Sequence, residues 1–134
     1  MWEDYHADNR IERILNNIHS DMALAIWFMD DGSIEKHKRI HSDGSKHWSR
    51  PSFHLCTHCF TEGENMYIAD WFKRRYLVDA YLAHDNRKNV SYTYLRFSTD
   101  ATEKIYKIIR PYVVQIESMK EKFKYIEDYY FPKI

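Results

Sequence analysis

Residues 24–32 read LAIWFMDDG, an unbroken apolar run that passes straight into two adjacent carboxylates, Asp30 and Asp31, and then a glycine. An apolar helix that ends in adjacent acids places oxygen donors, suited to a hard cation such as Mg²⁺, at the margin of a packed surface. Carboxylates at the negative end of a helix dipole cost stability, and a bound cation offsets that cost. On these residues alone the plainer alternative stays open, that Asp30 and Asp31 simply end a helix in an Asp-Gly turn.

The rest of the composition narrows the setting. A chain of 134 residues with 44% hydrophobic and 16% aromatic residues suits a single domain with a real core and leaves no room for two. We therefore expect residues 1–134 to form one domain, with 1–21 as an N-terminal helical extension and 124–134 as a C-terminal tail. No segment approaches the apolar length needed to span a bilayer, and Met1-Trp2-Glu3-Asp4 does not open as a secretion signal. An intracellular protein with no membrane partner is expected. Cys56 and Cys59 are too close in sequence to build a disulfide framework, in keeping with a reducing compartment. Twenty basic residues balance twenty acidic ones, so any nucleic-acid surface must be local.

Periodicity along the chain predicts an α+β order. Ile11, Ile14, Leu15 and Ile18 share a helical face, and Ser20 or Asp21 can cap the helix that carries LAIWFMDDG. Residues 33–41 and 52–59 suit two strands joined through Asp43-Gly44 and Arg50-Pro51. In the second, Phe53, Leu55 and Thr57 alternate with His54, Cys56 and His58, as in a sheet with one face packed and one open. A helix over 62–76 follows, with Lys73, Arg74 and Arg75 complementing its dipole. Residues 77–84 and 90–98 then flank a polar turn, and a last helix over 100–110 is interrupted by Pro111. The order is helix, helix, hairpin, helix, hairpin, helix.

That order, with the nonapeptide LAIWFMDDG, the strand-end string LCTHCFT at 55–61, and IRPY at 109–112 followed by SMKEKF at 118–123, resembles one domain of the LAGLIDADG homing endonuclease family. The resemblance runs from residue 22 to 123. It implies an α-β-β-α-β-β-α domain with a four-stranded antiparallel saddle-shaped sheet, in which two such helices pack together along Ala23, Leu24, Ala25, Trp27 and Phe28. In the family the functional acid immediately precedes the glycine, which makes Asp31, with Gly32, the implied metal-holding position. The family's other acid position is occupied here by Met29.

Two further site residues follow from the resemblance. Lys122 matches a lysine near the family's active site, with Lys120 as the competing choice, since about two extra residues separate it from Pro111-Tyr112. His58 falls where many members carry glutamine; an imidazole also bonds water and titrates near neutral pH. Asp31, Lys122 and His58 are thus the implied catalytic set. Duplex DNA would be met by Ser33, Glu35, His37, Arg39 and His41 on the first strand, and by Lys46, His47 and Arg50 in its turn. His54 on the second strand and Tyr92, Tyr94 and Arg96 on the fourth complete the face. His54, Cys56, His58 and Cys59 are also zinc-capable, although strand alternation points Cys59 away from the other three.

One motif supplies one acid, so cleavage requires a homodimer on a near-palindromic target or a second domain elsewhere. The implied activity is Mg²⁺-dependent phosphodiester hydrolysis. The alternatives are a non-cleaving DNA- or RNA-binding relative, such as an intron maturase, and one half of a two-domain endonuclease.

Overall fold

A computed structural model describes residues 10–36, 38–40, 42–87 and 90–133. In chain order the elements are α1 (Arg10–Asn16), α2 (Asp21–Asp31), β1 (Gly32–Glu35), β2 (Lys38–Ile40), β3 (Lys46–Trp48), β4 (Ser52–Leu55), α3 (Glu62–Tyr76), β5 (Ala80–Arg87), β6 (Val90–Phe97), α4 (Thr99–Val113), a 3₁₀ turn (Glu117–Met119) and α5 (Lys124–Tyr130). Four strands form one antiparallel sheet in the order β1-β4-β6-β5, and β2 and β3 pair as a separate two-stranded ribbon.

Sequence chemistry sets the helix ends. Ser20, not Asp21, caps α2 by accepting from the Ala23 amide at 3.1 Å. Thr61 and Glu64 exchange reciprocal bonds at the start of α3, the Thr61 amide to Glu64 Oε1 at 2.8 Å and the Glu64 amide to Thr61 Oγ1 at 3.1 Å. The Asp43-Gly44 turn takes its expected form: Gly44 adopts φ +87°, and the Asp43 carboxylate accepts from the Ser45 amide.

One face of the sheet carries the core. Phe53 and Leu55 of β4 and Leu95 and Phe97 of β6 are buried under α2, α3 and α4. Phe28 of α2 lies at the centre, with ring centroids 4.9 Å from Phe53, 5.5 Å from Phe97 and 6.2 Å from Phe72 of α3. The opposite face of the sheet is left to polar side chains.

Three elements differ from their expected extents. The strand expected over 33–41 is broken after Glu35, so β2 and β3 stand apart as a ribbon. The strand expected over 52–59 ends at Leu55, because buried hydrogen bonds to the carbonyls beyond it pull the chain into a turn. Helix α4 passes through Pro111 to Val113. Ile109 and Val113 are buried on either side of the proline, and Arg110 is bound to Glu127, so tertiary contacts outweigh the lost amide donor in this last turn. Beyond it, residues 124–130 form α5, docked through buried Phe123 and Ile126.

A candidate acid site and nucleic-acid interface

Helix α2 delivers Asp30 and Asp31 exposed at its C-terminal end, and the chain then enters β1 directly at Gly32. Gly32 is required by close approach: its amide donates to the Phe28 carbonyl, and a Cβ at this position would lie 2.5 Å from that same oxygen. Two distant segments converge here. Lys122 Nζ donates to the Met29 carbonyl oxygen at 2.7 Å, satisfying an acceptor that the helix end leaves open. The Cys56 amide donates to the Asp31 carbonyl oxygen at 2.9 Å, tying the turn after β4 to the same point.

That turn presents Cys56, His58 and Cys59 outward while Thr57 points into the core. Cys56 Sγ lies 2.7 Å from His58 Nδ1, and the His58 ring meets the Tyr92 ring edge-on at 5.7 Å. Asp31, Lys122 and His58, the set implied by the resemblance, therefore lie on three segments joined at the end of α2. Lys120, the competing lysine, instead pairs with Glu117 at 2.8 Å.

Across the open face, register aligns Ser33, His54, Arg96 and Tyr81 in one row over four strands. Glu35 contacts His54 Nε2 and makes an ion pair with Arg96 at 3.5 Å. The His54 and Tyr94 rings pack at 5.1 Å. Ser33, Glu35, His54, Tyr92, Tyr94 and Arg96 are thus brought together on one face, whereas Arg50 is not. Its guanidinium is engaged beside α4 by Asp100 at 3.0 Å and Glu103 at 3.2 Å. Arg39, Lys46 and His47 are placed by backbone pairing on the β2–β3 ribbon. His37 and His41 lie outside the described residues. Sequence reading missed exposed Tyr81 on the edge strand β5, although the alternation of Tyr81 with Leu82 carried the signal. It also missed Asn65, which is buried beneath the turn.

The helix residues assigned to a partner divide differently. Leu24, Ala25 and Phe28 are 0% exposed within the protomer itself, so its own core takes them out of reach of a second copy. Ala23 and Trp27 are half-buried, and Trp27 stacks on Phe72 at 5.8 Å. The outward side of α2 is carried by Met22, 54% exposed, and Ile26, 48% exposed.

As donors, the exposed Asp31 carboxylate and a backbone carbonyl at Gly32 are the oxygen ligands a hard cation takes. Among the described residues no three His, Cys, Asp or Glu side chains gather into one metal-binding group. Among the same residues, no helix is long and apolar enough to cross a membrane.

Fold and site together define a single-motif α-β-β-α-β-β-α domain with an acid-bearing helix end beside an open sheet face. The sequence profile of the LAGLIDADG DNA endonuclease family matches residues 3–105, and the chain belongs to that family. It is 30% identical over 92 residues to Protein RecA of Mycobacterium shimoidei, a match covering 69% of this chain and 21% of that protein. It is also 30% identical over 133 residues to the uncharacterized protein MJ1098 of Methanocaldococcus jannaschii, covering 98% of this chain and 46% of that protein. Among solved structures, the homing endonuclease I-WcaI bound to its DNA recognition sequence shares the fold. Its TM-score is 0.54 at 23% identity, covering 77% of this chain and 40% of that one. The chain thus spans less than half the length of each of these relatives.

Proposed function

We propose that this chain is a site-specific DNA endonuclease of the homing type that works as a homodimer on a near-palindromic duplex, by divalent-metal-assisted phosphodiester hydrolysis. The observation that carries the proposal is the convergence at the end of α2. Asp31 is exposed there, Lys122 is bonded to the Met29 carbonyl, and the His58 turn is bonded to the Asp31 backbone. Family membership and the DNA named with the solved neighbour point the same way.

Asp31 and the Gly32 carbonyl would hold the cation, Mg²⁺ in the first instance, with the same groups of a second copy; when bound it polarises the phosphate and acidifies a water. Lys122 then offsets negative charge developing on the phosphate oxygens. His58 orients the attacking water or accepts its proton. The row Ser33, His54, Arg96 and Tyr81, with Tyr92 and Tyr94, lies against the duplex, and Met22 and Ile26 lead the contact between the two α2 helices.

A second reading, a DNA- or RNA-binding relative that does not cut, is favoured by His58 at the glutamine position, Met29 at the other acid position and a net charge of zero. A two-domain arrangement, with this chain as one half, is favoured by its span of under half of its relatives. Incubating a plasmid library of randomised targets with Mg²⁺ distinguishes cleavage from binding. The proposal expects cleavage of a defined subset by the wild type and none by Asp31→Asn. Targets retarded in a gel but left intact by the wild type would establish the binding reading.

A further inference from the structure

The turn that carries His58 is held from beneath by a single buried side chain. Asn65 of α3 is 0% exposed. Its Nδ2 lies 3.1 Å from the Thr57 carbonyl oxygen, 3.3 Å from that of Phe60 and 3.0 Å from that of Thr61, and its Oδ1 accepts from the Thr57 hydroxyl. Both ends of the amide are therefore committed, and swapping its oxygen and nitrogen would lose all three bonds to carbonyl oxygens. A second clamp comes from α1. Arg10 Nη2 donates to the Cys59 carbonyl at 3.2 Å and to Glu64 Oε1 at 3.0 Å, with its guanidinium 5.1 Å from the Phe60 ring centroid. Glu64 Oε1 in turn accepts from the Thr61 amide. The carbonyls of Thr57, Cys59, Phe60 and Thr61 are all bonded, so the backbone is fixed on both sides of the outward-facing His58.

We propose that Asn65 is a positioning residue, and Arg10 its auxiliary, which together hold the His58 imidazole at the acid end of α2. A residue that packed α3 alone would be apolar, whereas this amide meets the carbonyls of the His58 turn. Groups that act on a reacting water must be held to within a fraction of an ångström, and this network is the supporting layer for that task. The structural part of the proposal stands by itself, while the catalytic part rests on the nuclease reading above.

The test uses Asn65→Ala and, because that change removes buried bonds and can prevent folding, the milder Arg10→Gln beside it. By NMR, wild type is expected to show a cross-peak between the His58 and Tyr92 rings. The variants are expected to lose or weaken it, and the Phe60 amide, bonded to the Thr57 carbonyl, is expected to exchange at least about a hundredfold faster while the core amide of Leu95 changes far less. Equal acceleration at Phe60 and Leu95, or an unchanged ring cross-peak, overturns the proposal. In single-turnover cleavage, Asn65→Ala is expected to slow the wild type about tenfold or more at unchanged DNA affinity, yet cost less than about twofold in a His58→Ala background. The same penalty in both backgrounds means a merely structural role and overturns the positioning claim. If wild type cuts nothing, the nuclease reading fails, and the NMR comparison alone decides whether Asn65 holds the turn.

Discussion

Lys122 Nζ donates to the Met29 carbonyl oxygen at 2.7 Å, a bond between residues 93 positions apart that places a cation at the negative end of α2 beside Asp30 and Asp31. Under the proposed function the contact couples stability to activity, since a helix C-terminus and two carboxylates favour positive charge there, as would a bound phosphate. Lys122→Gln keeps much of the length and removes the charge. It is expected to lower stability by about 1 kcal/mol, a few degrees in melting temperature, and to reduce cleavage by about a hundredfold while DNA binding changes little. Calorimetry and single-turnover cleavage on one selected target check both effects.

Glu35 places negative charge on the face assigned to DNA, where it pairs with His54 and Arg96. Glu35→Gln releases the Arg96 guanidinium, and the His54 ring beside it, toward phosphate. Binding measured over a salt series is expected to tighten several-fold, with a steeper dependence on log salt by about one ion. Weaker binding would mean that Glu35 reads a base edge instead of restraining its neighbours.

Helices α4 and α5 are locked by Glu127. Arg110 Nε and Nη2 each donate to its carboxylate at 2.8 Å, and the Tyr106 hydroxyl donates at 2.6 Å. The Arg110 guanidinium is the main cause that holds the Glu127 carboxyl below its ordinary range, with the Tyr106 hydroxyl adding to it. A carboxyl so depressed contributes stability that is fully present above the unfolded value of about 4.3 and is lost as pH falls through the folded value. Wild type is therefore expected to melt above Glu127→Gln at pH 7, and the gap is expected to close in acid. A gap that persists at pH 2 would assign the effect to packing.

Gly32 joins α2 to β1 with no room for a methyl group beside the Phe28 carbonyl. Gly32→Ala is expected to cost about 1–3 kcal/mol by forcing that junction apart, and to disturb Asp31 with it. Thermal unfolding measures the first effect and cleavage of a selected target the second.

Much of this architecture was legible in local pattern. The alternation of Phe53, Leu55 and Thr57 with His54, Cys56 and His58 marked the two sides of β4 and its turn as they are found. Lys73, Arg74 and Arg75 marked the end of α3 at its observed place. What local pattern does not encode is which apolar side of a helix faces which neighbour. Residues 22–29 are apolar without interruption, so the inward set Leu24, Ala25 and Phe28 reads the same as the outward set Met22 and Ile26 until the core is assembled. Helix α5 was obscured in a comparable way. Phe123, Ile126 and Tyr130 have helical spacing, but Lys124, Glu127 and Asp128 between them let the segment read as a C-terminal tail, and its docking depends on the Arg110–Glu127 bond across 17 positions. Asn65 was invisible for a third reason, since a polar residue on a charged helix reads as exposed unless the turn that buries it is known.

In the proposed homodimer two copies of α2 meet along their outward side, so that each contributes its Asp31. Disulfide trapping tests it most directly, with Ile26→Cys in a background where Cys56 and Cys59 are replaced by serine. In the presence of a selected duplex, mild oxidation is expected to convert the protein to a covalent dimer at Ile26→Cys and to leave a control at Leu24→Cys, buried in its own protomer, monomeric. A protein that stays monomeric at Ile26→Cys while bound to duplex DNA would contradict the paired-helix account.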